Sequence, residues 1–104
     1  MENKITFSVS SEDDLNNIAQ YIYLSTKNLD FSINYLNKMR EFIKERLEKY
    51  PLSGFYPNNR SLRGLGYRYL IFDSYLIFYL IKEDEIRVMA IINVKQDYYK
   101  YNNF

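Results

Sequence analysis

The stretch Gly66–Tyr79, GYRYLIFDSYLIFY, restricts this chain more than any other. Two runs of Tyr, Leu, Ile and Phe flank Asp73-Ser74. Aromatic and β-branched residues suit a pleated strand, and the short side chains of Asp and Ser bend the backbone by bonding to nearby main-chain groups. The expected unit is an antiparallel hairpin. A loop of even length puts Arg68 on the same side as Tyr75, Ile77 and Tyr79. Whether that side meets the rest of the core stays open, because one bulge reverses every side chain beyond it. Arg68 is the only cation in the block. An Arg fixed on a strand among aromatic rings suits a phosphate or a carboxylate, and it can equally snorkel to the sheet edge with no further role.

Ahead of this hairpin, Lys4–Val9 alternates as a first strand, with Ile5, Phe7 and Val9 on one side. Ser11 followed by Glu12, Asp13 and Asp14 fits a helix start, Ser11 capping free N–H groups and the acids facing the positive end of the dipole. Leu15, Ile18, Ala19 and Ile22 then recur at helical spacing, taking the helix to about Thr26. Asp30 is the expected cap of a second helix, whose inner face reads Ile33, Leu36, Ile43 and Leu47, widened by Met39 and Phe42. Pro51 stops it, since proline lacks an N–H and disfavours helical geometry in the residue before it. Two amphipathic helices on a short connection make a helical hairpin, and a sheet must cover what they leave exposed.

Every Gly and Pro lies between Pro51 and Gly66, so PLSGFYPNNRSLRGLG reads as a long loop, either a plain crossover or a functional segment. Beyond the hairpin, Glu83-Asp84-Glu85 turns the chain into Ile86–Val94. Ile86, Val88, Ala90, Ile92 and Val94 are expected to form one apolar face toward the helices. The ending packs three tyrosines and a phenylalanine into nine residues, Gln96–Phe104, which suits a hydrophobic latch or a set of rings and phenols for stacking and proton transfer.

At 104 residues the chain is expected to form a single domain, 1–104. It contains neither Cys nor His, which removes disulfides, thiolate metal sites and the usual zinc ligand and proton shuttle. Metals and cofactors are not expected, and any acid–base chemistry falls to carboxylates, Tyr, Lys or Arg. A signal segment or membrane span is not apparent, so a cytoplasmic, membrane-free protein is expected. Net charge is only +1, against generic nucleic-acid binding. Yet Lys49–Phe72 holds four cations, Lys49, Arg60, Arg63 and Arg68, and no acid, so a locally basic surface is expected there.

The order strand, helix, helix, long loop and three strands resembles the RelE/ParE superfamily of toxins from bacterial type II toxin–antitoxin systems. The resemblance rests on Asp14-Leu15, Ile18 and Tyr21, on Pro51-x-x-Gly54, on Leu62-Arg63, and on Gly66-Tyr67-Arg68 leading to Leu76-Ile77-Phe78-Tyr79. It ends at Val94-Lys95-Gln96-Asp97-Tyr98, where many relatives have a more basic segment. It implies an α+β fold, an N-terminal strand and a helical hairpin packed on a mainly antiparallel four-stranded sheet. It also implies a cognate antitoxin as partner, and allows a homodimer. RelE-like members act on the ribosome as metal-independent messenger-RNA endoribonucleases. For that activity the resemblance assigns Arg68 to the strand arginine, Arg63 to a second basic position, and Lys95, Tyr98 and Tyr99 to the C-terminal catalytic position. ParE-like members poison DNA gyrase. The lack of His, the weak basic excess and the long helical hairpin lean to the ParE-like side. A non-toxic interaction module of the same fold is the remaining alternative.

Overall fold

The computed structural model describes residues 4–95. Its elements are β1 (Ile5–Phe7), α1 (Val9–Thr26), α2 (Leu29–Lys49), α3 (Arg60–Gly64), β2 (Arg68–Phe72), β3 (Tyr75–Ile81) and β4 (Ile86–Asn93). The sheet order is β1-β4-β3-β2, with β1 parallel to β4 and the other pairs antiparallel. The α+β fold expected from the sequence is the one observed. No helix among the described residues is long and apolar enough to cross a membrane.

The central hairpin forms as its pattern requires. Phe72 pairs with Tyr75 across Asp73-Ser74, and Asp73 takes φ 53°, a left-handed conformation that Asp adopts more readily than most residues. The Asp73 carboxylate accepts a 2.6 Å hydrogen bond from the Tyr35 hydroxyl of α2, so the turn is pinned to the helical layer. Gly66, with φ 92°, links α3 to β2 in a region where a side chain would be strained.

Leu70, Tyr75, Ile77 and Tyr79 of the hairpin are buried in one core with Leu15, Ile18 and Ile22 of α1 and Met39, Ile43 and Leu47 of α2. Arg68 pairs with Tyr79 and Leu70 with Ile77, so Arg68 stands on this helix-facing side, at the end of the sheet. A bulge decides the faces of β4. Phe78 pairs with Ala90 but Tyr79 pairs with Val88, leaving Met89 as the extra residue. Ile86 and Val88 therefore join the helix-side core, whereas Ala90 and Ile92 pack on the opposite side with Leu76 and Phe78. The uniform face expected for Ile86–Val94 is corrected accordingly: Ile91, not Ala90 or Ile92, continues it toward the helices. The Ile91 N–H beyond the bulge is bonded by the Asp14 carboxylate of α1 at 2.9 Å. Ile91 lies past Val88, the last residue of β4 paired with β1, and its backbone donor is thereby satisfied.

Both helix starts shift from the expected caps. Ser8, not Ser11, caps α1, its hydroxyl accepting the Ser11 N–H at 3.0 Å and donating to the Met89 carbonyl at 3.1 Å. Ser11 is instead buried inside the first turn, and β1 ends at Phe7 rather than Val9, which is exposed on the helix. Asn28 caps α2 two residues before Asp30, accepting the Phe31 N–H at 3.0 Å. Ile33 is half exposed rather than inward. The buried position beside it is Ser32, whose hydroxyl donates to the Ala19 carbonyl at 2.7 Å and draws the two helices together. Arg40 closes the layer at β1, gripping the Glu12 carboxylate through two nitrogens at 2.9 and 2.8 Å and lying over the Phe7 ring.

Candidate functional site

Arg68 sits where α2, the Pro51–Gly66 segment and β2 converge. Pro51 ends α2 one residue past its cap at Tyr50, and the chain folds back so that Phe55 bridges Tyr69 as a single antiparallel rung. The Phe55 N–H donates to the Tyr69 carbonyl at 2.8 Å, and the Tyr69 N–H donates to the Phe55 carbonyl at 2.9 Å. The loop thus lies along the outer edge of β2, within reach of Arg68.

The guanidinium of Arg68 is engaged by that loop. It donates to the Leu52 carbonyl at 3.1 Å, to the Gly54 carbonyl at 3.4 Å and to the Tyr56 hydroxyl at 2.7 Å. It also lies over the Tyr56 ring, 4.4 Å from the centroid. A planar fork of N–H groups can collect several carbonyls at once, which an ammonium does less well. The side chain thereby ties one segment of its own chain to another, a use that neither sequence reading, anion binding or idle snorkelling, included.

Tyr79, fully buried on the neighbouring strand, holds the same loop from beneath. Its hydroxyl donates to the Pro51 carbonyl at 2.7 Å and accepts the Gly54 N–H at 3.0 Å. Burial raises its pKa above the ordinary tyrosine value, against smaller opposing effects of the Gly54 N–H and Arg68, so the proton needed for the Pro51 bond is kept. Gly54 is required by this packing: a Cβ there would collide with the Tyr79 hydroxyl and stand 2.8 and 2.9 Å from Cε1 and Cζ of its ring.

Of the other candidate residues, Lys95 is the one the strand register sets apart from Arg68. Arg63 is exposed on α3, a single turn within the long loop, close to β2 in sequence. Lys95 is exposed at the opposite end of the sheet, just past Val94, whose N–H bonds to the Ser74 carbonyl at the hairpin tip. Arg68 belongs to the row Arg68–Tyr79–Val88, and Lys95 follows the row Phe72–Tyr75–Asn93. Four strand residues separate these rows, about 13 Å at the usual rise per residue, and Lys95 lies further still. Tyr98 and Tyr99, with the rest of Gln96–Phe104, lie outside the described residues.

Leu52, Gly54 and Tyr56 are the partners of Arg68 that sequence reasoning missed, and Tyr79 holds the same loop. The Pro51-x-x-Gly54 break marked the right place without revealing that a glycine was needed under a tyrosine ring. The surface that results is chemically distinctive. Leu52, Tyr56 and Leu65 are 67, 57 and 69% exposed, and Leu65 directly follows α3, which carries the exposed cations Arg60 and Arg63.

Comparison with known proteins follows the same architecture. The family described as "ParE toxin of type II toxin-antitoxin system, parDE" matches residues 5–98. Sequence comparison with curated proteins gives no match. Among solved structures, one described as the chromosomal ParDE TA system from P. aeruginosa superposes with a TM-score of 0.71 at 15% identity, over 88% of this chain and 96% of that one. At that identity the likeness is one of fold. With the family match spanning nearly the whole sequence, this chain belongs to the ParE toxin family of type II toxin–antitoxin systems.

Proposed function

We propose that this chain arrests bacterial growth by ParE-like inhibition of DNA gyrase, and that a cognate antitoxin silences it. The family match and the likeness to a ParDE structure support the toxin and its antitoxin partner. The choice of gyrase over messenger RNA is carried by one observation: Lys95 lies at the other end of the sheet from Arg68, and Arg68 is bonded to its own loop. Stabilising the charge of a phosphate under attack requires a donor aimed at it, together with groups that take and give protons nearby. Arg68 directs its fork at Leu52, Gly54 and Tyr56, and Lys95 stands at the far end of the sheet. A gyrase poison has no such requirement, since it acts through a binding surface.

Induced expression in bacteria tests this reading. Arrest with gyrase-linked DNA breaks, relieved by co-expression of the adjacent open reading frame, is the expected result. Arrest with cut messages and intact DNA would overturn the gyrase assignment, and absence of arrest would favour a non-toxic interaction module.

A further inference from the structure

Resting on the reading of this chain as a toxin, we infer that the clamped loop and α3 form the face that docks its target, and that the target offers an acidic, partly apolar protein surface there.

Three observations lead to that face. The first is exposure without looseness. Leu52 and Tyr56 stand more than half exposed, although the segment that carries them is fastened by Arg68, Tyr79 and the Phe55–Tyr69 rung, and the exposed Leu65 caps the C-terminal end of α3. Loops that only cross a surface do not need such fastening, and apolar side chains held rigid in water lose little entropy on being covered. The second is charge. Lys49–Phe72 holds four cations and no acid. Lys49 is already paired with Glu45 at 3.3 Å and Arg68 is consumed by the loop, whereas Arg60 and Arg63 project from α3 with no side-chain hydrogen bond or ion pair among the described residues. Two uncompensated arginines in the same acid-free stretch as exposed apolar side chains fit a partner that brings carboxylates and an apolar contact together.

The third observation separates this face from the other exposed apolar region. Leu24, Leu29, Phe31 and Ile33 cluster where α1 meets α2. That cluster lies at the N-terminal end of α2 and the loop at its C-terminal end. Twenty-one residues of helix span about 30 Å between them. Of these two remote regions, the loop face is the one that combines uncompensated arginines with a stretch free of acids.

Nucleic acid is the poorer occupant. Two free arginines give few phosphate contacts, and aliphatic side chains such as Leu52 and Leu65 gain little against a sugar–phosphate backbone compared with a protein surface.

The test is the double variant Arg60→Glu/Arg63→Glu in the full chain, read in two ways. Neither side chain supports the fold, so its melting temperature and its co-purification with the antitoxin should match wild type. It should no longer arrest growth at equal expression, and its affinity for gyrase holoenzyme should fall about tenfold or more, because reversed charges repel the acidic face. Leu52→Ser should weaken the same binding with unchanged melting. Wild-type arrest by the double variant would overturn the inference, as would loss of antitoxin capture, which would give this face to the antitoxin. Arrest by wild type through message cutting, lost in the double variant together with RNA binding, would also overturn it by making RNA the occupant. Failure of wild-type protein to slow gyrase would instead refute the gyrase reading, which the arrest readout leaves separate.

Discussion

Replacing Gly54 with Ala should expose how much of the loop depends on Tyr79. The added Cβ would overlap the Tyr79 hydroxyl and crowd two carbons of its ring at 2.8 and 2.9 Å. A tyrosine on the surface would swing aside, but Tyr79 has no exposed surface and both its hydrogen bonds are made to the loop being modified. Forcing an extra carbon into a packed site costs about 1–3 kcal/mol. Weakening the bonds to Pro51 and Gly54 adds about 1 kcal/mol each. A destabilisation of about 3 kcal/mol is expected, a large part of the total for a domain of this size, and roughly 10–20 °C in melting temperature. Urea unfolding, with unchanged slope and shifted midpoint, measures it. The mechanism is checked by the cycle with Tyr79→Phe, which removes the overlapping oxygen and strands the Gly54 N–H and the Pro51 carbonyl. The double variant should be more stable than the sum of the single effects by about 1 kcal/mol or more, because both substitutions break the same bonds. Wild-type stability of Gly54→Ala, or additivity within about 0.5 kcal/mol, would refute the account of this packing.

Three further outcomes follow from the hydrogen bonds that join the layers. Asp14→Ala should cost about 1–3 kcal/mol in urea unfolding, because it strands the Ile91 N–H just past the bulge. Asp14→Asn should recover part of the loss by keeping an acceptor. The Arg40 side-chain hydrogen bond lowers the pKa of Glu12 below its ordinary 4.5, so the pair stabilises the fold above that value and the contribution disappears as pH falls through the depressed one. Glu12→Gln should flatten stability against pH in that acid range, by under about 1 kcal/mol since both side chains are partly exposed. Burial, followed by the hydrogen bond to Asp73, holds the Tyr35 hydroxyl protonated well above its ordinary 10.0. Its contribution is present in full below pH 10 and is lost as pH rises beyond it, because the unfolded chain gives up that proton first. Tyr35→Phe should therefore lower stability at neutral pH and reduce the alkaline loss, measured by urea unfolding from pH 8 to 11.

The architecture was legible because its signals are local. Fourteen residues around Asp73-Ser74 carry both strands and their turn, and Pro51 alone ends α2. The caps were less legible because Ser8 and Ser11, or Asn28 and Asp30, are equally good capping residues, and the choice depends on where β1 delivers the chain. The faces of β4 were illegible beyond Met89, since nothing in IRVMAIINV announces the register shift in its pairing with β3. Arg68 shows the same limit at the site. Its place on a strand among aromatics could be read, but two of its three hydrogen-bond partners are backbone carbonyls 14 and 16 residues away, which leave no mark in a sequence, and nothing singled out Tyr56 as the third.

The most direct test of the whole account is supercoiling of relaxed plasmid by purified gyrase in the presence of the wild-type chain and Arg68→Ala. The account predicts inhibition by wild type, relieved by antitoxin. It predicts weaker inhibition by the variant, accompanied by faster amide exchange at Gly54 and Phe55 as the loop loses its clamp. Undiminished supercoiling with wild-type protein would contradict it, most sharply if ribosome-bound message were cut instead and Arg68→Ala stopped that cutting while leaving the loop protected.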